Sequence, residues 1–261
     1  MQDDADQPLM VSQFEGTPTP CPYLDPQTSI LPLTLPHRIL TGEEFDQFLE
    51  AGHRRSGPFL YRTQCPSCNA CEPTRLPLKR FTWTTSLRRV FRKGSERLRV
   101  EVGAASADDR RVELYNRHKT ARGMSDPESL EDIHGYRDGF VQSCCMTVEL
   151  SFWDEKELVG CTILDVGRKS LSAVYTFFDP RFSDLSPGTF SILQQIAWGQ
   201  ANQFDYLYLG LFVAGNRHLR YKARFTPQER LVDGRWQLFS EAIDDWAAPT
   251  LPKKYDADSS N

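Results

Sequence analysis

The chain lacks any apolar run long enough to cross a membrane. None of its hydrophobic stretches approaches the ~20 residues that a spanning helix needs. Its first ten residues, MQDDADQPLM, are acidic and lack the basic start and apolar centre of a secretory signal peptide. We therefore expect a cytoplasmic protein that has no membrane partner.

The chain also has little cysteine, but the seven cysteines are unevenly placed. Cys65, Cys68 and Cys71 in CPSCNAC recur at every third residue, and reduced cytoplasmic thiols at this spacing favour metal binding or catalysis over disulfides. A zinc ion or an iron–sulfur cluster would need a fourth ligand. Cys21, at the head of the same segment, is the natural candidate, and His53 is the reserve. The spacing does not decide between zinc and iron–sulfur, and unliganded thiols or a redox switch remain the alternatives.

Charge is also unevenly distributed, although the net charge is only −4. From residue 75 to residue 99 there are nine Lys or Arg residues and one acidic residue, Glu96. Within this stretch SLRRVFRKG predicts a basic helix from Ser86 to Gly94. Its cationic face consists of Arg88, Arg89, Arg92 and Lys93. Local basic surfaces on an acidic protein suit a polyanionic partner, and the alternative is a solvated helix face.

A second cationic run, GNRHLRYKARF, alternates with aromatic residues after a predicted strand that ends at Gly210. Interleaved basic and aromatic side chains can hold phosphates and stack bases, and they can equally bind a small carboxylate. The alternative interpretation of Lys222 and Arg224 is that they are exposed charges on a strand. The candidate residues of this run are Arg217, Tyr221, Lys222 and Arg224.

The order of predicted elements divides the chain into four parts. Residues 1–20 are predicted to be a flexible arm, residues 21–100 a Cys-rich module with the basic helix, residues 101–240 the main domain, and residues 241–261 a tail. Thr41 is predicted to cap a helix in GEEFDQFLEAG, and Ser106 to cap another in SADDRRVELYNRHKTARG. Three strands, a long helix in LSPGTFSILQQIAWGQANQ and a closing strand follow.

This order is typical of an α+β acetyltransferase-like (GNAT-type) core. In that fold the loop before the long helix usually has several glycines, whose N–H groups hold the pyrophosphate of coenzyme A. Here the loop is DLSPGTF, with one glycine and a proline that removes a donor. We therefore expect no coenzyme A. In the preceding strand, alternation predicts Tyr175 and Phe177 on one face of the sheet.

Taken together, these segments resemble the aminoacyl-tRNA–protein transferases of the N-end rule pathway, and in particular their bacterial aspartate/glutamate leucyltransferase branch. The resemblance spans nearly the whole chain in order. It rests on CPYL (21–24), residues 53–78, SLRRVFRKG (86–94), LSAVYTFFDP (171–180), LSPGTFSILQQI (185–196), YLYLGLFVAGNRHLRYKARFTP (206–227) and LVDGRW (231–236).

The resemblance implies transfer of leucine from its tRNA to the N-terminal amine of proteins that begin with Asp or Glu. It implies aminoacyl-tRNA as a partner and no DNA. Lys222 matches the active-site lysine, expected to bind the acceptor carboxylate or the oxyanion beside Arg224, while Tyr175 and Phe177 would line the cleft. The basic helix would contact tRNA phosphates. Cys21 and the CPSCNAC cysteines match cysteines that are linked to iron–sulfur or metal binding in eukaryotic relatives, and the metal is not carried over to the bacterial branch.

Two departures bear on the identity of the donor amino acid. Arginyl enzymes of the family carry an Arg-Glu pair where this chain has Gln194 and Gln195, and the missing acid favours leucine. Bacterial members read LGYW where this chain reads LGLF, with Phe212 in place of tryptophan. Arginyl transfer stays an alternative, as does a non-catalytic tRNA- or RNA-binding protein.

Overall fold

The computed structural model of the protein describes residues 8–124 and 130–240. The predicted tail at 241–261 and the first seven residues of the predicted arm lie outside the described residues. The helices are α1 (Gly42–Glu50), α2 (Thr85–Arg97), α3 (Asp109–Ala121), the short α4 (Ile133–Tyr136) and α5 (Pro187–Ala201).

The strands form one large sheet and two small ones. They are β1 (Val11–Phe14), β2 (Thr19–Pro20), β3 (Thr28–Ser29), β4 (Leu33–Pro36), β5 (Arg54–Ser56), β6 (Phe59–Tyr61), β7 (Glu72–Pro77), β8 (Arg99–Ala104), β9 (Met146–Asp154), β10 (Glu157–Val166), β11 (Ser170–Phe178), β12 (Tyr206–Phe212), β13 (Gln228–Val232) and β14 (Arg235–Phe239).

The large sheet has eight strands in the order β14-β13-β7-β12-β11-β10-β9-β8. β11 and β12 are parallel, and the other neighbouring pairs are antiparallel. A parallel pair needs a crossover connection, and α5 provides it. The protein is therefore a mixed α+β structure built on one large mixed sheet, as the order of elements predicted.

Helices cover both faces of this sheet. On one face α2 and α5 pack on the largest hydrophobic cluster, in which Phe190, Leu193 and Ile196 of α5 are fully buried. The opposite face carries α3 and α4 around a cluster of aromatic residues, and α1 with the four-stranded sheet β1-β4-β6-β5 around a third cluster. Strands β10, β11 and β12 therefore each present side chains to two of these clusters.

The N-terminal segments are more tightly integrated than the sequence predicted. The prediction of a flexible arm at 1–20 is wrong for Val11–Phe14, because these residues form β1 and pair with β4. The predicted boundary near residue 100 does not separate the sheets either, because β7 lies inside the large sheet between β12 and β13.

Helix α1 begins as predicted. Thr41 accepts a hydrogen bond from the Glu44 N–H, and the Glu44 carboxylate accepts one from the Thr41 N–H, which completes a capping box. The other two helices start close to their predicted positions. Helix α2 begins at Thr85, one residue before the predicted start at Ser86, and Thr84 caps it. Asp108, rather than the predicted Ser106, caps α3.

Helix α2 also continues beyond its predicted end at Gly94. This glycine lies inside the helix, where a Cβ atom would come within 2.3 Å of Phe190 on α5. Gly94 is thus present for close packing of two helices and does not terminate one.

Candidate functional site

A gap in the large sheet defines the candidate site. β11 and β12 pair only from Ser170 to Ser172, opposite Tyr206 to Tyr208. Beyond this point β11 stays paired with β10 up to Phe178, and β12 stays paired with β7 up to Phe212. The facing edges of β11 and β12 therefore separate, and their backbone groups need other partners.

Arg54 of β5 reaches into this gap from the face that carries α1. Its Nη2 donates a hydrogen bond to the Ala173 carbonyl oxygen at 3.3 Å. Its guanidinium lies against Gly210, where a Cβ atom would be 2.3 Å from Arg54 Nη1. Gly210 also has a φ of +86° and lies at a register shift in β12, so both the backbone and the available space require glycine there.

Lys222 lies at the same gap, on the short 3₁₀ helix Arg220–Arg224 that follows β12. The side chain is only 5% exposed, and its Nζ donates a hydrogen bond to the Leu211 carbonyl oxygen on the open edge of β12. Burial first, and then the nearby positive charge of Arg54, hold the pKa of Lys222 well below its ordinary value. The sequence-based alternative of an exposed strand charge is wrong for Lys222.

Tyr175 and Phe177 share one face of β11, as the alternation predicted. Tyr175 is half-buried, and its ring centroid lies 5.7 Å from that of Tyr115 and 5.6 Å from that of Phe140. Phe177 is 0% exposed inside the same aromatic cluster. The prediction that Phe177 lines the cleft is therefore wrong, because no part of its ring reaches the surface. Tyr175 alone of the two is accessible beyond the point where the strands separate.

The other candidates of the cationic run differ in exposure. Tyr221 is half-buried against the large hydrophobic cluster, with the Lys222 Nζ 5.8 Å from its ring centroid. Arg224 is also half-buried, and burial lowers its pKa. Arg217 is exposed and its Nε lies 3.1 Å from Nε2 of His218. Lys222 of this run contacts the gap through a hydrogen bond to the open edge of β12.

The predicted basic face of α2 is on the surface. Arg88, Arg89, Arg92 and Lys93 are all exposed. Lys93 forms an ion pair with Asp184 at 3.2 Å, and Arg92 lies 3.8 Å from Glu96 on the next turn. In residues 8–124 and 130–240, neither Arg88 nor Arg89 has a carboxylate partner within 4.0 Å. The helix can therefore present free cations to a polyanion.

Among the four candidate metal ligands, Cys71 lies near enough to the other three and to Lys222 to interact with them electrostatically. Burial and the thiols of Cys65, Cys21 and Cys68 raise the pKa of Cys71 to about 12, and the charge of Lys222 opposes this shift. As placed, no set of three or more His, Cys, Asp or Glu side chains among the described residues forms a metal site. The reserve ligand His53 instead contacts the Phe48 carbonyl oxygen, 3.2 Å from its Nδ1.

The loop before Lys222 rests on the cysteine segment. Asn216 Nδ2 donates a hydrogen bond to the Tyr23 carbonyl oxygen at 3.0 Å, and a Cβ atom at Gly215 would come within 2.9 Å of Leu24. Tyr23 in turn donates its N–H to Cys21 Sγ at 3.4 Å. The two motifs that are most distant in the sequence are thus neighbours in space.

The three residues that bear on the identity of the donor are Gln194, Gln195 and Phe212, and two of them are buried. Gln195 is fully buried beneath the sheet, with its Nε2 3.2 Å from Ser191 Oγ. Gln194 donates to Ser95 of α2 at 3.1 Å. Phe212 is buried, with the Arg230 guanidinium carbon 3.6 Å from its ring centroid. Gln195 and Phe212 therefore have almost no surface to offer to a donor amino acid.

Sequence reasoning missed Arg54. It lies in a stretch quoted for the resemblance, but its partners are 119 residues or more away in the chain. The one available signal is the Arg54-Arg55 pair, since adjacent residues of a strand point to opposite faces. Arg55 points inward, where it forms a fully buried ion pair with Asp165 at 2.8 Å. Arg54 is left to point into the gap.

Comparison with known proteins identifies the class of this chain. Residues 19–89 match the family described as "Arginine-tRNA-protein transferase, N terminus", and residues 110–232 match the corresponding C terminus. The chain therefore belongs to the arginine-tRNA–protein transferase family.

Individual relatives are more specific. The chain is 33% identical to an aspartate/glutamate leucyltransferase of Methylobacillus flagellatus, over 89% of this chain and 94% of the relative. It is 34% identical to another of that name from Stenotrophomonas maltophilia, over 88% and 94%. The family resemblance predicted from the sequence is confirmed.

Two further comparisons concern the fold and the membrane. The C-terminal domain of a lysylphosphatidylglycerol synthetase from Agrobacterium fabrum superimposes with a TM-score of 0.41 and 13% identity, over 55% of this chain and 47% of that one. Among the described helices, none has the length and hydropathy needed to span a bilayer.

Proposed function

We propose that this protein transfers leucine from leucyl-tRNA to the N-terminal amine of proteins that begin with Asp or Glu. The observation that carries the proposal is the gap between β11 and β12, into which Lys222 and Arg54 bring an amine and a guanidinium. The relatives named aspartate/glutamate leucyltransferase, which match almost the whole chain, support the same activity.

The reaction is the aminolysis of an ester. The acceptor amine attacks the aminoacyl carbonyl carbon, the carbonyl oxygen becomes an oxyanion, and the C–O bond to the tRNA ribose then breaks. The amine loses a proton and the ribose hydroxyl gains one, so a new amide and a free tRNA result. Because the ester is already activated, the protein must mainly align the reactants and stabilise the oxyanion.

Lys222 is suited to the oxyanion. Its Nζ already donates to a carbonyl oxygen at the open edge of β12, and a lysine amine has N–H donors in either protonation state. Tyr175, half-buried on the opposite edge of the gap, provides an aromatic wall against which the substrate can pack. Arg224 and Tyr221, on the same 3₁₀ helix as Lys222, would complete the substrate-binding side.

The test of this proposal is a transfer assay with defined substrates. Purified protein is incubated with leucyl-tRNA or arginyl-tRNA and with a peptide beginning with Asp, and an otherwise identical peptide beginning with Lys is the control. Leucine should be added to the Asp peptide alone. Transfer from arginyl-tRNA would favour the donor in the family description. Binding of tRNA without transfer from either donor would refute the enzymatic function.

For tRNA, we propose α2 as the contact surface. Its exposed cations Arg88, Arg89, Arg92 and Lys93 lie on a single helix, and the exposed Arg217 adds a cation beside the Lys222 loop. Phosphate contacts of this kind give salt-dependent affinity without reading base sequence. We place the activity in the cytoplasm, where aminoacyl-tRNA is available.

For the cysteines, we propose one bound metal ion or cluster held by Cys21, Cys65, Cys68 and Cys71. The support is the donor chemistry, because four sulfur ligands suit structural zinc or an iron–sulfur centre. Such a centre would supply structural cross-linking of the segment on which the Lys222 loop rests. Metal analysis with an ultraviolet–visible spectrum of anaerobically purified protein separates zinc from iron–sulfur, and absence of both would refute the proposal.

We also propose that residues 101–240 form an acetyltransferase-like core that does not use coenzyme A. The support is the sequence of β9, β10, β11, α5 and β12 with a parallel, separating β11–β12 pair. Helix α5 begins at Pro187, which has no N–H to offer to a phosphate, and it is preceded by Ser186 at a φ of +52°.

A further inference from the structure

Most buried arginines of this protein have a carboxylate partner. Arg55 pairs with Asp165 at 2.8 Å, and Arg75 contacts Glu229 at 2.7 Å. The half-buried Arg111 of α3 contacts Glu149 at 2.7 Å, and Arg230 of β13 lies 3.5 Å from Glu72. This pattern is expected, because a buried charge without a partner is strongly destabilising.

Arg54, which is half-buried, has no such partner among the residues that the structure describes. In the described part of the chain, no carboxylate lies within 4.0 Å of its guanidinium, and its Nε is buried without a hydrogen-bond partner. The hydrogen bond to the Ala173 carbonyl uses one N–H of five. Its neighbour in the gap is the Lys222 amine, which also has no carboxylate partner in residues 8–124 and 130–240. A guanidinium with unused N–H donors and no internal carboxylate can bind an anion that enters the gap.

The two side chains have different geometries. A guanidinium presents a planar fork of donors that matches a carboxylate, whereas an ammonium is a compact point charge. The Arg54 fork is also fixed in position, because it lies flat against the backbone of Gly210 and is tied to Ala173. The Lys222 Nζ is instead directed at a carbonyl oxygen of the strand edge, as an oxyanion would require.

We propose that Arg54 binds the side-chain carboxylate of the acceptor's N-terminal Asp or Glu, and so determines acceptor specificity, while Lys222 serves the reacting carbonyl. This inference rests on the proposed function. It divides between two residues a role that the sequence assigned to Lys222 and Arg224 together. Because both side chains lie in the same gap, a carboxylate held by Arg54 would keep the acceptor amine close to the ester.

The experiment compares acceptor peptides that differ only in the first residue, Asp or its neutral isostere Asn, with leucyl-tRNA as the donor. The variants are Arg54→Gln, which removes the charge, and Arg54→Lys, which keeps the charge without the fork. Arg62→Gln is the matched control, because Arg62 is exposed and its Nη1 donates only to the Ala51 carbonyl oxygen, at 3.3 Å. Thermal unfolding is recorded for each protein.

In Arg54→Gln we expect kcat/KM for the Asp peptide to fall by about 10- to 100-fold, the range for a lost hydrogen bond between charged groups. The loss should lie mainly in KM, and kcat/KM for the Asn peptide should stay unchanged, so that the Asp preference collapses. Arg54→Lys should keep part of the preference, and Arg62→Gln all of it. If Arg54 had a purely structural role, the substitution would lower kcat/KM for both peptides equally.

The other outcomes are also decisive. An unchanged Asp-to-Asn ratio in folded Arg54→Gln or Arg54→Lys overturns the assignment. Failure of both variants to unfold cooperatively would mean that Arg54 is a structural residue, which overturns it as well. If the unmodified protein transfers leucine to neither peptide, the proposed function itself has failed, and this result is distinct from a defect confined to Arg54 variants.

Discussion

Substituting Gly210 by alanine should show how strongly the gap depends on the position of Arg54. Gly210 has a φ of +86°, and its new Cβ atom would lie 2.3 Å from Arg54 Nη1 and 2.5 Å from Arg54 Cζ. The left-handed conformation alone costs a residue with a Cβ about 1–2 kcal/mol. Displacing the guanidinium and its bond to Ala173 adds about 1 kcal/mol.

Gly234→Ala is a control with the same backbone cost and no contact. Gly234 has a φ of +75°, and nothing lies within 4 Å of a Cβ atom built there. At about 2–4 °C per kcal/mol for a chain of roughly this size, we expect Tm to fall by about 4–12 °C in Gly210→Ala and by about 2–8 °C in Gly234→Ala. Differential scanning calorimetry measures both.

The steric part is isolated by a double-mutant cycle with Arg54→Ala. Removing the guanidinium should relieve the clash, so Gly210→Ala should cost about 1 kcal/mol less in the Arg54→Ala background. Additive effects would refute the claim that Gly210 is glycine for the sake of Arg54. The transfer assay gives the second readout: Gly210→Ala should raise KM for an Asp peptide, while Gly234→Ala should leave it unchanged.

Three further predictions concern the reaction, the tRNA and pH. Lys222→Ala should keep tRNA binding and lose at least about tenfold in kcat. The control Lys156→Ala, at an exposed position, should keep both, and unchanged transfer by Lys222→Ala would refute the role of Lys222. The double variant with Arg88→Ala and Arg92→Ala should bind tRNA with a weaker salt dependence, so that the slope of log Kd against log salt decreases by up to about two. An unchanged slope would show that α2 does not contact the tRNA. Burial first, and then the charge of Arg122, lowers the pKa of His118 to about 4. Between about pH 4 and 6.5, His118 therefore binds more protons in the unfolded chain than in the folded one. Its contribution to the free energy of unfolding is complete above pH 6.5 and should fall by up to about 3 kcal/mol as the pH decreases to 4. Denaturant unfolding should show that the free energy of unfolding of His118→Gln depends less on pH than that of the unmodified protein. An identical pH dependence would refute the assignment of this effect to His118.

The sequence predicted those parts of the fold that depend on local patterns. Helix α5, the three strands β9 to β11 and the capping box at Thr41 follow from periodicity and from cap residues, which act over a few positions. The end of α2 did not follow, because Gly94 reads as a terminator in the sequence and only the position of Phe190 on α5 explains it.

The candidate site was predictable in its parts and not in its arrangement. The motif around Lys222 and the CPSCNAC run were both recognisable, but nothing in the sequence indicated that they are neighbours. Arg54 was not predicted, since its role depends on where two parallel strands stop pairing, which is a property of the sheet. Phe177 was misassigned because alternation gives the face of a strand but not how deeply that face is covered.

The contact between Gly94 and Phe190 has a consequence for the position of a bound tRNA relative to the gap. Because only a glycine separates α2 from α5 at their crossing, the two helices cannot slide or tilt independently without opening a void or creating overlap. Helix α5 is itself the crossover that connects β11 to β12. If a tRNA binds to α2, the packing of α2 on α5 therefore fixes the distance between the bound phosphates and the edges of β11 and β12. The same packing then sets where the ester to be cleaved lies relative to the gap.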